Sequence, residues 1–313
     1  MMTLLEIMNL SKSFKQKQAV NSVNLYLEKG EIVGLLGPNG AGKSTTISMI
    51  SSLIAPDVGD VRLNNESILK TPQTLRKILG VVPQDIAVYM DLSARENLLF
   101  FGKMHRIPKN ILQKRVDEVL EIIGLKEREK DLVKTFSGGM KRRLNIGVAL
   151  IHEPEIIIMD EPTVGIDPQS RNYILETVKR LNKEKQMTVL YTSHYMEEVE
   201  FLCDRIYIMD HGEIIASGTK EDIKNILSAE TAINIKVEIV KHAFTEALRH
   251  HKNIKNISIQ QSVITVIVPR QVHLLKDILR IAEEQKTNVL SVHIETPTLE
   301  DVFLHLTGRQ LRD

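Results

Sequence analysis

Cysteine is nearly missing from this chain of 313 residues: Cys203 stands alone. One thiol cannot build a disulfide framework or a cysteine zinc cluster. A single Cys in an apolar stretch reads instead as a small core residue. Excess charge of one sign is also lacking. Lys and Arg number 41 against 40 Asp and Glu, a net +1, which argues against a dedicated nucleic-acid surface but leaves room for a local basic patch. No run approaches the ~18 apolar residues that span a bilayer. The opening MMTLLEIMNLSKSF has no sustained apolar core of the signal-peptide kind. The chain is therefore expected to stay in the cytoplasm, and any membrane role requires a separate partner. With 42% hydrophobic and 26% charged residues, it has the composition of one large or two ordinary globular domains.

The most informative positive feature is Gly37-Pro38-Asn39-Gly40-Ala41-Gly42-Lys43-Ser44, which reads G-x-x-x-x-G-K-S. An apolar strand is expected before it at 32–36 and a helix after it at 44–51, the context a phosphate-binding loop requires. Glycines let the backbone turn so that several N–H groups face one anion. The helix N-terminus adds partial positive charge at the same place. Lys43 is suited to reach the β- and γ-phosphates, and the Ser44 hydroxyl to help hold Mg²⁺.

Other segments extend an α/β pattern. Strands are expected at 4–10 and 23–27, with turns at 28–31 and 57–60. Further strands are expected at 61–63, 79–83, 156–159, 188–192 and 206–209. Residues 93–123 turn helical, and 110–123 carry Ile111, Leu112, Val116, Val119, Leu120 and Ile123 at close to helical spacing. The run Ile156-Ile157-Ile158-Met159 fits a strand buried on both faces of a parallel sheet. Strands alternating with helices indicate an α/β core. Near residue 230 the character changes. The expected order becomes strand 232–240, helix 243–250, strands 254–260 and 263–268, helix 272–284, strand 289–294 and helix 298–306. That βαββαβ order is ferredoxin-like.

Three further sites carry chemistry. Asp160 ends the buried run and can hold Mg²⁺ directly or through water. Glu161, one residue on, can orient or deprotonate an attacking water. Taken alone, the pair reads first as a cap on a strand before the Pro162 turn; after a phosphate loop and this apolar run it reads as functional. Phe136-Ser137-Gly138-Gly139-Met140 is a small-residue cluster at a helix start expected to run through Leu150. It reads either as a second anion site or as an ordinary Ser N-cap. Adjacent glycines in a first turn cost about 1 kcal/mol each relative to Ala, a cost explained if something approaches the backbone closely. His194 follows the expected strand 188–192, at the sheet edge where open α/β sheets bind ligands, and can donate to a γ-phosphate. Lys126-Glu127-Arg128-Glu129-Lys130-Asp131 reads as a solvated face. Lys141-Arg142-Arg143 reads as a solvated helix face or as a contact for anionic lipid.

In order along the chain, the phosphate loop, Gln84, Ser137-Gly138-Gly139, Asp160-Glu161, Asp167 and His194 resemble the ATP-binding cassette (ABC) ATPases over residues 1 to about 225. The resemblance implies a P-loop cassette with a RecA-like core, an antiparallel β subdomain and a helical subdomain at about 85–150, within a domain of residues 1–228. It implies ATP as ligand with Mg²⁺, bound by Gly37 through Thr45, with Ser44, Gln84 and Asp160 near the metal. Glu161, His194, Gln84 and Lys43 take the catalytic roles. Asp167 resembles the D-loop aspartate, and Phe14 stands where this family places an aromatic ring against adenine, although an aromatic in an early strand can also pack inward. Ser137, Gly138 and Gly139 resemble the signature that meets ATP from a second copy. One departure is Met140, where the family usually has Gln; Met cannot offer amide hydrogen bonds.

FSGGM followed by Lys-Arg-Arg-Leu, and the tail Thr296-Pro297-Thr298-Leu299-Glu300-Asp301-Val302-Phe303, resemble a drug- and antibiotic-export subgroup that includes the daunorubicin- and linearmycin-resistance ATPases. Lantibiotic and sodium exporters are similar too, which leaves the cargo open. The implied partners are separate membrane permease subunits and a second copy of the chain, at the cytoplasmic face of the membrane. Residues 229–313 are expected to form a regulatory or dimer-stabilising domain. The alternative is a cassette ATPase acting on nucleic acid or ribosomes. Relatives of that kind carry coiled coils, zinc modules or two cassettes. RNA-recognition domains share the βαββαβ order but stack bases on sheet aromatics, and residues 263–268 read V-I-T-V-I-V. No nucleic-acid partner is therefore expected.

Overall fold

A computed structural model describes residues 3–15, 17–226, 230–269, 274–295 and 298–308. The chain divides into two compact units, one built on residues up to Lys220 and the other on Glu221–His305. The expected boundary at 228/229 lies outside the described residues, as do Thr296 and Pro297 of the tail and the start of the helix expected at 272–284.

The first unit holds two sheets. The N-terminal sheet is antiparallel and pairs Thr3–Phe14 with Lys17–Glu28 on one side and Val58–Leu63 on the other. The second sheet has six strands in the order Glu213–Thr219, Arg205–Asp210, Ile32–Leu36, Thr188–Ser193, Ile156–Asp160 and Leu79–Val82. Its last five strands run parallel, and Glu213–Thr219 adds an antiparallel edge. Every residue of Ile32–Leu36, Ile156–Asp160 and Thr188–Ser193 is buried, as continuous apolar runs between helical layers require. One core joins both sheets to helix Lys43–Ile50, with Leu5, Ile7, Leu25 and Leu27 on one side, Ile47 and Ile50 on the helix, and Leu35, Ile158 and Leu190 beyond. Cys203 is wholly buried, and burial pushes its thiol well up. A Cβ on Gly34 would stand 3.0 Å from its Sγ.

The structure changes several expectations. The turn expected at 57–60 is the start of strand Val58–Leu63. Gly59 has φ +98°, and a Cβ there would lie 2.5 Å from the carbonyl oxygens of Met8 and Asn9. The glycine thus marks a bulge, where the register against Met8 and Ser11 shifts. The helical stretch at 93–123 is two helices, Ala94–Met104 and Lys109–Ile122. Pro108 separates them, since its ring cannot continue the first helix. Ser93 and Glu96 form a capping box on the first. Helices Pro72–Ile78, Pro168–Lys185 and Met196–Leu202 and strand Glu213–Thr219 have no counterpart in the sequence reading. Glu213–Thr219 alternates exposed and half-buried residues; Ile214 packs on the core, but exposed Ile215 beside it and the small Ala216 and Gly218 blur the period. In the charged stretch at 126–131, Lys126 pairs with Asp117, and Glu129 pairs with Arg95 at 2.6 Å. With Glu127, Arg128 and Lys130 exposed, this is a solvated face as expected, and it carries ion pairs.

The second unit is a four-stranded antiparallel sheet in the order Val289–Glu295, Glu230–Val237, Val263–Pro269, Asn256–Gln260, the ferredoxin-like arrangement. Its helices His242–Arg249 and Leu275–Glu284 lay Phe244, Leu248, Ile278 and Ile281 on Ile233, Ile235, Ile264 and Val266. Among the described residues of the first unit and the second, no helix is long and apolar enough to cross a membrane.

One packing detail has a pH consequence. The rings of His105 and His152 stack in parallel with centroids 4.0 Å apart. Burial first, and then the neighbouring His105, push His152 from 6.5 down to about 4, against the opposing effect of its contact with the Leu79 carbonyl. Between these values the unfolded chain binds a proton at His152 that the folded chain refuses, so this contribution to stability is full at neutral pH and is lost as pH falls from 6.5 towards 4. Urea midpoints measured across that window are expected to fall less steeply in His152→Gln than in the parent. An unchanged slope would rule out the His152 contribution.

Candidate nucleotide site

Parallel register places the functional residues at one edge. Leu36 pairs with Ser193, Asp160 with Thr192, and Val82 with Met159. The residues that follow these strands therefore emerge together at their carboxyl ends, where ligands of such sheets bind. They are the loop from Gly37, Glu161, His194 and Gln84.

The loop connects strand Ile32–Leu36 to helix Lys43–Ile50. Gly42 is the helix N-cap at φ +108°, a conformation that suits glycine. A Cβ on it would lie 2.6 Å from the Ala19 carbonyl, and one on Gly37 would lie 2.3 Å from the Met209 carbonyl. Gly42 brings no side chain to cap the helix, so the first-turn amides, which have no intrahelical acceptors, face the loop. A cleft of about 470 Å³ opens there, lined by residues 39–45, Gln84 and Glu161. Lys17, Gln18, Ala19, His211 and Gly212 complete the lining, and the sequence reading identified none of these five.

Lys43 is buried, and its Nζ donates to the Gly37 carbonyl at 2.7 Å and the Pro38 carbonyl at 3.2 Å. It also stands 3.5 Å from Glu161 Oε1. Gln84 Nε2 donates to Glu161 Oε2 at 3.3 Å. His194 Nδ1 lies 3.4 Å from the same oxygen. Glu161 itself is buried with φ +46°, a backbone conformation rare for residues other than glycine and often found at functional positions. Thr192 Oγ1 accepts from the Glu161 amide at 2.9 Å and donates to Asp160 Oδ1 at 2.8 Å, so one hydroxyl fixes both carboxylate residues. Thr192 was legible only as part of an apolar strand.

The donors present fit Mg²⁺. No group of three His, Cys, Asp or Glu side chains able to hold a metal occurs among the described residues. The cleft offers a hydroxyl (Ser44) and a carboxamide (Gln84), and the buried carboxylate of Asp160 ends the strand that leads to Glu161. Mg²⁺ takes such a sparse set of oxygen donors and completes its octahedron with water and phosphate oxygens. The cleft volume suits a nucleotide-sized ligand.

Phe14 does not pack inward. It is 49% exposed and pairs across the hairpin with Lys17, which lines the cleft. Ser137, Gly138, Gly139 and Asp167 do not line it. Ser137 caps helix Gly138–Leu150 by accepting from the Met140 amide at 3.2 Å. Asp167 caps helix Pro168–Lys185 by accepting from the Ser170 amide at 2.9 Å, and that bond holds its carboxyl below the ordinary range. The two glycines differ. A Cβ on Gly139 would meet Ser170 Oγ at 2.0 Å, whereas one on Gly138 would meet nothing within 4 Å. The close approach expected at Gly139 comes from the chain's own Ser170. Ser137, Gly138 and Asp167 are exposed.

Within Lys141-Arg142-Arg143, the two arginines are turned to the chain's own backbone and rings rather than to lipid or solvent. Arg142 is buried and donates to the carbonyls of Pro83 at 2.8 Å and Gln84 at 2.6 Å. Arg143 donates to the Ile123 carbonyl and lies over the Tyr173 ring. Gly139, Arg142, Ile146 and Ala149 are buried at helical spacing, which places Arg142 on the inward stripe. Replacing Arg142 by Leu leaves the part-buried carbonyls of Pro83 and Gln84 without this donor, and is expected to cost about 1–3 kcal/mol. Urea unfolding measures this, and a loss below about 0.5 kcal/mol, as for an ordinary surface substitution, would deny Arg142 that role.

Residues 20–164 match the family model described as "ABC transporter", and residues 218–307 match "ATP-binding protein DrrA1-3-like, C-terminal domain". The chain is 50% identical over 312 residues to a linearmycin resistance ATP-binding protein of Bacillus subtilis (strain 168), covering 99% of this chain and 100% of the relative. It is 32% identical over 310 residues to a daunorubicin resistance ATP-binding protein of Streptomyces coeruleorubidus, covering 99% and 98%. Among solved structures, an ATP-binding subunit of an ABC transporter aligns with TM-score 0.65 at 31% identity over 72% of this chain and 93% of its own. A dimeric ATP-binding cassette in a post-hydrolysis state with ADP and Pi aligns with TM-score 0.64 at 28% identity over 69% and 98%. With two relatives matched end to end and the phosphate loop, Gln84, Glu161 and His194 gathered at one sheet edge, this chain belongs to the ATP-binding cassette ATPases of ABC transporters.

Proposed function

We propose that the chain powers efflux of a drug or antibiotic through separate permease subunits at the cytoplasmic face of the membrane. Its likeness along the whole chain to linearmycin- and daunorubicin-resistance ATPases supports the cargo class. The observation that carries the chemistry is the convergence of Lys43, Gln84 and His194 on Glu161.

The amides of the loop and of the first helical turn take the phosphates, and Lys43 adds positive charge beside them. Phe14 offers its exposed ring to adenine. Ser44, Gln84 and Asp160 would hold Mg²⁺, which would supply positive charge against the phosphates. Glu161 accepts a hydrogen bond from the attacking water and draws its proton, which aims the oxygen at the γ-phosphate. His194 donates to the γ-phosphate oxygen. Gln84 is tied through its backbone carbonyl to Arg142 on the signature helix, a link between the cleft and the helical subdomain at 85–150, which docks on the permease. Ser137, Gly138 and Asp167 face a second copy and close over its nucleotide. Residues 229–313 stabilise or regulate that dimer.

Glu161→Gln tests the assignment. The variant keeps size and hydrogen-bonding capacity but cannot take the proton. It is expected to bind ATP normally, to hydrolyse it about a thousandfold more slowly, a loss of about 4 kcal/mol in barrier lowering, and to fail to restore drug tolerance to a deletion strain. Turnover at the parent rate would remove Glu161 from the reaction.

A further inference from the structure

Besides Asp160 and Glu161, one more acidic residue is buried among the described residues, and the reaction does not use it. Glu198, on helix Met196–Leu202, is 2% exposed. Its Oε2 accepts three hydroxyls, each at 2.8 Å, from Thr163, Tyr191 and Ser193. Burial pushes Tyr191 well above its ordinary value, so its hydroxyl remains a donor. Glu198 Oε1 faces Arg171 Nε at 3.4 Å. Arg171 is on the first turn of the helix that Asp167 caps, and its guanidinium lies 4.4 Å from the Tyr195 ring centroid. Tyr195 in turn is 4.3 Å from His194, ring to ring, and its amide donates to Ser193 Oγ at 2.9 Å.

These partners belong to three different segments. Thr163 is two residues beyond Glu161, Ser193 immediately precedes His194, and Arg171 follows Asp167 by one helical turn. A buried carboxylate is a poor way to gain stability, because well-packed apolar residues often serve as well or better. What it offers is geometry. One atom with three donors fixes the relative placement of the chains that supply them. We propose that Glu198 is a positioning residue for ATP hydrolysis, holding the segments that carry Glu161, His194 and Asp167 in one arrangement. The inference rests on the roles given above to those three residues.

Thr163 supplies the cleanest variants, and Glu198→Gln tests the hub directly. In the Gln variant the amide nitrogen opposes either Arg171 Nε or the three hydroxyls. Thr163→Val keeps the shape and removes one donor, and Thr163→Ser restores that donor. Steady-state kinetics and urea midpoints on the full chain are the readouts. Misplacement by about an ångström costs roughly a hundredfold in rate, so kcat is expected to fall on the order of 10- to 100-fold in Glu198→Gln and in Thr163→Val. KM for ATP should stay within about twofold, the signature of a lost transition-state interaction, and Thr163→Ser should recover most of the rate. The inference is overturned if folded Glu198→Gln turns over like the parent, if Thr163→Ser loses as much as Thr163→Val, or if kcat falls only in step with the folded fraction. Should Glu198→Gln not fold, the Thr163 pair decides alone. Glu161→Gln run in parallel separates the two levels. Its full activity would sink the functional reading, whereas an inactive Glu161→Gln beside a fully active Thr163→Val would sink only the role of Glu198.

Discussion

The carboxylate of Glu161 faces the Lys43 amine, the Gln84 amide and the His194 ring, all within 3.3 to 3.5 Å. The four side chains come from four segments, and only the register of a parallel sheet brings them to one place. Glu161 also carries a left-handed backbone conformation, the kind of local cost that surrounding structure must hold in place. Its amide is fixed by Thr192, and Thr163, two residues on, is fixed by Glu198. The sheet, the cap at Gly42 and the buried hydroxyls all act on the position of this one group.

Much of this was legible because each signal is local. The phosphate loop combines glycines with a lysine at fixed spacing, and its context is a strand and a helix that declare themselves by apolar patterning. Residues 156–159 read as a buried strand because the run is continuously apolar, and 188–192 reads as a strand. Glu161 and His194 were legible through what precedes them. The ferredoxin-like unit was legible for the same reason, since its strands and helices alternate with clear periods.

What was not legible depends on contacts between distant segments. Arg142 looks like any residue of a basic helix face until the carbonyls of Pro83 and Gln84 come to it. Gly139 looks like a ligand-facing glycine until Ser170 packs against it. Glu198 lies in the acidic run Met196-Glu197-Glu198-Val199-Glu200, and nothing local separates the buried carboxylate from its neighbours. Lys17, Gln18 and Ala19 reach the cleft only because the first hairpin folds over the loop. Gly59 gave a true signal with a misleading meaning, since a left-handed glycine serves a bulge as well as a turn.

On the proposed function, one chain supplies only part of the site. The cleft carries the phosphate loop, whereas Ser137, Gly138 and Asp167 are exposed and do not line it. On this account each nucleotide is closed over by the signature of a second copy. Mixed dimers test that claim most directly, using one variant disabled at Lys43→Ala and another at Ser137→Arg. Neither should hydrolyse ATP alone, but a head-to-tail pair of the two contains one intact composite site, so mixing them should restore activity. Mixtures as inactive as the separate variants would contradict a site shared between two copies.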